Sequence, residues 1–572
     1  MLVAKTSNTC DFSLYGSGFS LSAVIFHFSL FIFHFSLKEM NKTATTILLG
    51  AGLLLASCAD LSLAPKSENS DSSIPQNDAD AIALVTPPYA TNTLLSTKYS
   101  YMSDLVTETT VSGENPNGGG GMLGLLKWDG TNSYITSMWQ SSYQSIAQAN
   151  DAIEKVEASS NVSEAVRKRV VGEAKFLRAY YYFYLVQFFG PVPLVLTTDG
   201  GQNTVRTPEH DVYAQIAKDL GEAAEDLPEK SAQATTDIGR ATRGAALAAL
   251  AKTYLVWAQN DDSLTDSQRH GFYSLAVDNA QKVIDSGEYR LEEDFHANWD
   301  NQNRNGKESI FATQHYTGSS LQGDNTGGNH LVHCCFSTGF SVSLPHVTPT
   351  PTREVEDSYL PGDQRRDVSF ADSLWRERDG GYFHFYYDAD GDGIRESGFS
   401  RYKKYIDLDN PENSSSARAM NRTILRYAEV LLIKAEAINE RDHGANADAF
   451  AAINQVRRRA FREDITSTAA QPHDLTVSDY EAFREAVMQE RSWEFVYEQK
   501  HWFDLKRWKV LVKTIRNSRL AREYPEYNKA AIDFRNYRYP IPQSQRDINP
   551  NLWQNYGYDG STIKSNPYKN AE

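Results

Sequence analysis

Apolar residues recur at three- and four-residue steps along most of this chain, the spacing that gathers them on one face of an α-helix. Tyr143, Ile146, Ala149, Ala152, Ile153 and Val156 keep that spacing and predict an amphipathic helix over Ser142–Val156. Over Val166–Phe189 the aromatics Tyr180, Tyr181, Tyr182, Phe183, Tyr184, Phe188 and Phe189 cover every side instead. A helix enclosed by neighbours needs that pattern, so these rings read as core and not as a binding platform. Gly190-Pro191 ends the segment as a helix C-terminus should. Further helices are predicted at about His210–Asp226, Arg243–Gln259 and Tyr273–Ser286, the last stopped by Gly287. After a gap the pattern resumes at Leu425–Asn439, Asp448–Ala460, Tyr480–Tyr497 and Trp502–Val512. Antiparallel helix pairs, each burying one face on the next, give a mainly α, TPR-like scaffold as the expected fold class. The chain has no regular self-similarity of about 34 residues, so this rests on helix pattern alone.

Between Tyr289 and Thr423 the periodicity fails. Gly, Asn, Asp and aromatic residues dominate there, with short strand-like pieces such as Ser309–Gln314. So long an irregular stretch is expected to carry function. The body 81–572 therefore divides into a helical part (81–288), an irregular ligand-binding region (289–423) and a second helical part (424–572).

The first 57 residues follow a different logic. From Met40 the order is a basic start (Asn41, Lys42), an apolar run over Ile47–Ala56, then Leu55-Ala56-Ser57-Cys58. That is the layout of an export signal. The run is too short to span a bilayer, which takes roughly 20 apolar residues. Leu-Ala-Ser before a cysteine resembles a bacterial lipobox, with 40–57 cleaved and Cys58 lipidated. Residues 1–39 repeat themselves (Phe26-His27-Phe28-Ser29-Leu30, then Phe33-His34-Phe35-Ser36-Leu37) ahead of this complete leader. They read as a mis-assigned upstream extension, with translation starting at Met40. The segment 58–80, rich in Ser, Asn, Asp and Pro, reads as a flexible tether.

Charge narrows the function classes. Removing residues 1–57, which hold three Lys and two acidic residues, leaves 54 basic against 71 acidic residues and a net charge of −17. Nucleic acid needs Lys and Arg against its phosphates, so it is an unsuitable partner. Anionic lipid is equally unsuitable, which leaves membrane attachment to the anchor.

Four cysteines occur, Cys10 and Cys58 in the leader and the adjacent pair Cys334-Cys335; a disulfide framework is not expected. With His330 and His333 the pair could ligate a soft metal, but buried thiols are the simpler reading. Asp388, Asp390 and Asp392, with glycines at the turn, match the first half of an EF-hand loop. Phe399 stands where the bidentate Glu belongs, leaving Glu396 to close a possible structural calcium site; a solvated acidic turn is the alternative. Glu490, Arg491 and Glu494 sit within helical reach of each other and read as an ion network holding the last helices. Aromatics in loops beside amides and carboxylates are the chemistry of sugar recognition. On that ground Trp128, Asp129 and Asn132, with Tyr316, Phe340 and Trp375 in the irregular region, are the candidate ligand-binding residues. Nucleophile elbows and HExxH motifs are missing, so a surface hydrolase is the less favoured class.

A resemblance sharpens this reading. Gly172-Glu173-Ala174-Lys175-Phe176-Leu177-Arg178-Ala179-Tyr180, followed by Phe189-Gly190-Pro191-Val192-Pro193-Leu194, closely resembles the N-terminal signature of the SusD/RagB family. Val283–Leu291, Lys307–Phe311, Leu425–Leu432, Glu490–Phe495, Trp502–Trp508, Tyr539–Pro542 and Asn549–Asn555 continue the family's motifs in order. The resemblance implies a non-enzymatic, cell-surface lipoprotein of the outer membrane. It implies a SusC-like TonB-dependent transporter as partner and an oligosaccharide, or in some branches a peptide, as ligand.

Overall fold

Capping side chains and apolar stripes set where the helices start and stop. The computed structural model describes residues 74–571 except 113–114, 202–203, 316–348, 377–380, 385, 388–396, 399, 406–419 and 569–570. The principal helices are α1 (Asp78–Leu84), α2 (Thr86–Ser103), α3 (Ser133–Ala158), α4 (Glu164–Phe189), α5 (Glu209–Asp226), α6 (Arg243–Asn260), α7 (Asp266–Asp285), α8 (Tyr427–Asp442), α9 (Ala447–Ala460), α10 (Tyr480–Glu494), α11 (His501–Arg507) and α12 (Gln543–Ile548). Among the described residues no helix is long and apolar enough to cross a membrane.

Each long helix packs on its successor: α3 on α4, α4 on α5, α5 on α6, α6 on α7. The next neighbour of α7 is α8, although more than a hundred residues of chain separate them, and α8 then receives α9 and α10. The irregular region is thus an excursion between two adjacent helices of one continuous stack, and the mainly α, TPR-like expectation holds. Aromatic contacts seal the layers. Trp257 of α6 stacks on Phe272 of α7 at 4.2 Å, and Tyr99 of α2 meets Tyr184 of α4 at 4.7 Å. The rings on every side of α4 are buried, as its sequence requires.

Strands occur only as short antiparallel pairs among the described residues. β1 (Thr110–Val111) pairs with β3 (Thr350–Pro351), and β2 (Ser309–Thr313) with β10 (Arg422–Arg426). β4 (Phe370–Ala371) pairs with β9 (Arg401–Tyr402), β5 (Ser373–Arg376) with β6 (Gly381–His384), and β7 (Tyr386–Tyr387) with β8 (Ser397–Gly398).

Several boundaries differ from the sequence expectation, each for a local reason. α3 begins at Ser133 and not at Ser142, because the Asn132 side chain accepts from the N–H groups of Tyr134 and Ile135. Leu425 and Arg426 are strand and not helix, since they pair with Phe311 and Ser309. α10 stops at Glu494, beyond which Tyr497 and Gln499 take left-handed backbone conformations. The segment expected to be tether until residue 80 is already structured at Asn77, which caps α1. Asp78 then accepts both the N–H (2.7 Å) and the hydroxyl (2.8 Å) of Ser163.

Candidate ligand-binding region

The strand pair β2–β10 carries the chain out of the helical stack and back into it. Arg422 lies opposite Thr313, so the two ends of the 314–421 excursion stand side by side. The inner end of this pair rests on charge. Arg426 donates to Glu308 (2.7 Å) and Glu498 (2.9 Å), and also pairs with Glu494. Arg459 reaches Glu308 (3.1 Å) and Glu494, while Arg365 holds Asp363 (2.6 Å), Glu490 (2.6 Å) and Glu494 (3.0 Å). These side chains are all fully or almost fully buried. Burial alone would depress Arg426, but the carboxylates of Glu498, Glu494 and Glu308 outweigh it and hold the guanidinium well above its ordinary value. Burial would likewise raise Glu494; Arg459, Arg426 and Arg365 instead pull it far below the carboxylate range. Lys404, bonded to Glu498 at 2.8 Å, is pushed down by burial to about 8.

The expected Glu490–Arg491–Glu494 network exists, but its pairs run between elements and not along one helix. Arg491 turns to Asp504 (2.9 Å) and Glu429 (3.6 Å), while Glu490 takes Arg365 and Arg457. The sequence does not single out Arg365, Arg426 or Arg459 as the counter-ions of this network. The available signal was a charged residue inside an apolar run, as in Leu425-Arg426-Tyr427.

At the outer end the chemistry changes from charge to amides. Asn305 and Gln314 exchange side-chain hydrogen bonds (2.8 and 3.0 Å), and Asn421 donates to Gln314 at 2.9 Å. The Asn421 side-chain oxygen accepts the His315 N–H at 3.1 Å. Beside this cluster lies a small polar cleft lined by Asn298, Asp300, Asn303, Arg304, Asn305 and Asn421 among others. Asn298 also donates to Glu308 (3.2 Å), which joins the cleft floor to the buried ion network. Met420, next to Asn421, also lines this cleft.

Of the sequence-nominated residues, Trp128, Asp129, Asn132 and Trp375 are described, and none of the four lines this cleft. Trp128 is 2 % exposed, stacks on Tyr539 at 4.9 Å and donates its indole N–H to Tyr558 at 2.8 Å. The expected exposed platform is therefore a core residue, because the C-terminal tail folds over it. Asn132 is the N-cap of α3, and Asp129 closes a turn by accepting from Thr131 at 2.8 Å. Trp375 lies in β5 opposite Tyr382. Tyr316, Phe340, Cys334 and Cys335 lie outside the described residues, as do Cys58 and the calcium candidates Asp388, Asp390, Asp392 and Glu396. The strands flanking the last group are paired, Tyr387 opposite Ser397.

Comparison with known proteins places this architecture. The SusD family model matches residues 265–558, and a model described as starch-binding associating with outer membrane matches residues 87–255. The chain is 27% identical over 533 residues to SusD-like protein P2 of Formosa agariphila, covering 88% of this chain and 97% of that one. It superposes on a SusD superfamily protein from Parabacteroides distasonis with a TM-score of 0.67 at 26% identity, covering 84% and 99% of the two chains. A SusD homolog from Bacteroides thetaiotaomicron gives a TM-score of 0.73 at 24% identity over 85% and 98%. With a family model covering more than half its length and the same helical stack in solved relatives, this chain belongs to the SusD family.

Proposed function

We propose that this protein is a lipid-anchored, cell-surface receptor of the outer membrane that captures oligosaccharide without transforming it. We propose further that it delivers the glycan to a SusC-like TonB-dependent transporter. The observation that carries the reading is the family match, which extends over both helical parts and the irregular region between them. Two structural neighbours support the ligand class. One is named surface glycan-binding protein A from Bacteroides fluxus, and another was solved with xylogluco-oligosaccharide. The cleft beside β2–β10 encloses only about 20 Å³, so its amides and carboxylates offer sugar hydroxyls a polar edge and not an enclosing site. Lipidation at Cys58 would supply the attachment, several acyl chains together holding firmly at roughly 0.8 kcal/mol per buried methylene.

The test is calorimetric titration of the purified protein with neutral oligosaccharides, acidic oligosaccharides and oligopeptides. Saturable binding of a glycan, weakened in Asn421→Ala, is expected; binding of oligopeptides alone would replace the glycan reading with peptide capture. Turnover of any glycan would overturn the non-enzymatic reading. Co-purification with a barrel protein from outer membranes is expected for the intact lipoprotein, and its absence would overturn the delivery step.

A further inference from the structure

A second concave surface shares no lining residue with the polar cleft. It is an open groove of about 700 Å³ between α3 from Trp139 to Ala147, the residues 193–201 with Thr204, and α12 with Leu552. Its volume falls in the range of small-molecule sites, about 300–1,000 Å³. The floor is the half-buried Tyr143 of α3, with Trp139 and Ile146 almost wholly buried at its base. The walls are pinned by side chains that reach backbone carbonyls. Tyr143 donates to Pro193 (2.8 Å), Asn150 to Val195 (3.1 Å), and Asn549 to Thr204 (2.8 Å). The groove is therefore preformed.

Its chemistry is selective. Among the described residues none that lines it carries a charge, on a chain whose formal net charge is −16. Gln140 and Gln545 line the groove with side-chain amides that no other described residue engages, and Thr197 adds a hydroxyl to the rim, where the Thr198 hydroxyl is already donated to Glu154 at 2.5 Å. Ile548 is 77 % exposed at its edge, and Val205, next to the lining residue Thr204, is 64 % exposed. A half-buried tyrosine ring beside aliphatic carbons, two uncommitted amides with the Thr197 hydroxyl, and no charged lining residue are together what a neutral sugar chain requires. Its C–H faces lie on rings and aliphatic carbons, and its hydroxyls find donors and acceptors. A carboxylated or sulfated glycan would leave its charges unpaired there.

We propose that this groove is a second carbohydrate site, specific for a neutral oligosaccharide. The proposal rests on the glycan-capture reading and adds a binding position that the β2–β10 cleft does not supply. The experiment titrates the intact protein with maltoheptaose, cellohexaose and a xyloglucan nonasaccharide, with tri-galacturonate as the charged control. Ala147 lines the groove from an exposed position on α3, so Ala147→Trp should fill the site with little effect on the melt. At least one neutral probe is expected to bind at two sites, with Ala147→Trp abolishing one and Asn421→Ala weakening the other. Gln545→Ala is the milder second variant, expected to weaken the groove site about fivefold, the loss of one hydrogen bond. Should both groove variants bind like the wild type, the groove proposal falls and capture at the cleft stands. Groove-dependent binding of tri-galacturonate would overturn the neutral specificity. If none of the glycans binds the wild type, the capture reading falls and the groove proposal with it.

Discussion

Trp128 shows how much a single side chain's setting decides. Its ring lies on Tyr539 and its N–H is satisfied by Tyr558, residues brought there by a tail more than four hundred positions away in sequence. Trp128→Ala should therefore cost about 3–5 kcal/mol, the range for emptying an aromatic site in a core. The expected readout is a large fall in melting temperature with unchanged glycan affinity in the protein that remains folded. A variant that melts normally and binds weakly would return Trp128 to the ligand site. Gly190 is a second position with a tight constraint. Its φ of +74° suits glycine, and a Cβ there would lie 2.5 Å from the Arg538 side chain.

Among elements, the strand pair and the helices beneath it are joined by buried ion pairs whose partners cannot be removed singly. Arg426→Met leaves Glu308, Glu494 and Glu498 short of a cation in the interior, and should destabilise the protein by about 3–5 kcal/mol in denaturant titrations. The same chemistry sets an acid limit. Burial would raise Glu436, but Arg507, donating at 2.8 Å, outweighs it and holds the carboxyl at about 2 against an ordinary 4.5. A carboxylate depressed on folding stabilises above its unfolded value and loses that contribution as pH falls through the folded one. Stability should therefore drop between about pH 4.5 and 2, and less steeply in Arg507→Met. Lys506 acts in the opposite direction. Burial pushes it down to about 7 from 10.5, so its charged form opposes folding at neutral pH. Its contribution should rise from pH 7 toward 10.5, an increment that urea melts of Lys506→Met should lack.

At the scale of the molecule, the irregular region is inserted between α7 and α8 without interrupting the stack, so loops can diversify while the scaffold stays closed. Asp388, Asp390, Asp392 and Glu396 are proposed to hold a calcium ion within that insertion. Because an ion bound only by the folded state stabilises it, chelation should lower the melting temperature and added calcium restore it. Identical melts with and without chelator would identify a solvated acidic turn. Attachment has its own test: Cys58→Ala should move the protein from the membrane fraction to the soluble one, and retention in the membrane would overturn the lipid anchor.

Helical periodicity is a local property, repeated every few residues, and so the sequence alone determined the helices α3–α10 to within a turn or two at most ends. It likewise determined the strand at Ser309 and, through ordered motifs, the family. The tertiary structure decided what depends on distant partners. Trp128 and Asn132 read as loop residues in the sequence, and are core and cap only with the tail and α3 in place. Glu490 and Glu494 showed their charge in sequence but not their counter-ions, because Arg365, Arg426 and Arg459 lie 35 to 129 positions away along the chain. The uncharged groove had no sequence signature at all. Its floor, wall and rim come from three separate segments, and a concave surface exists only once those segments meet.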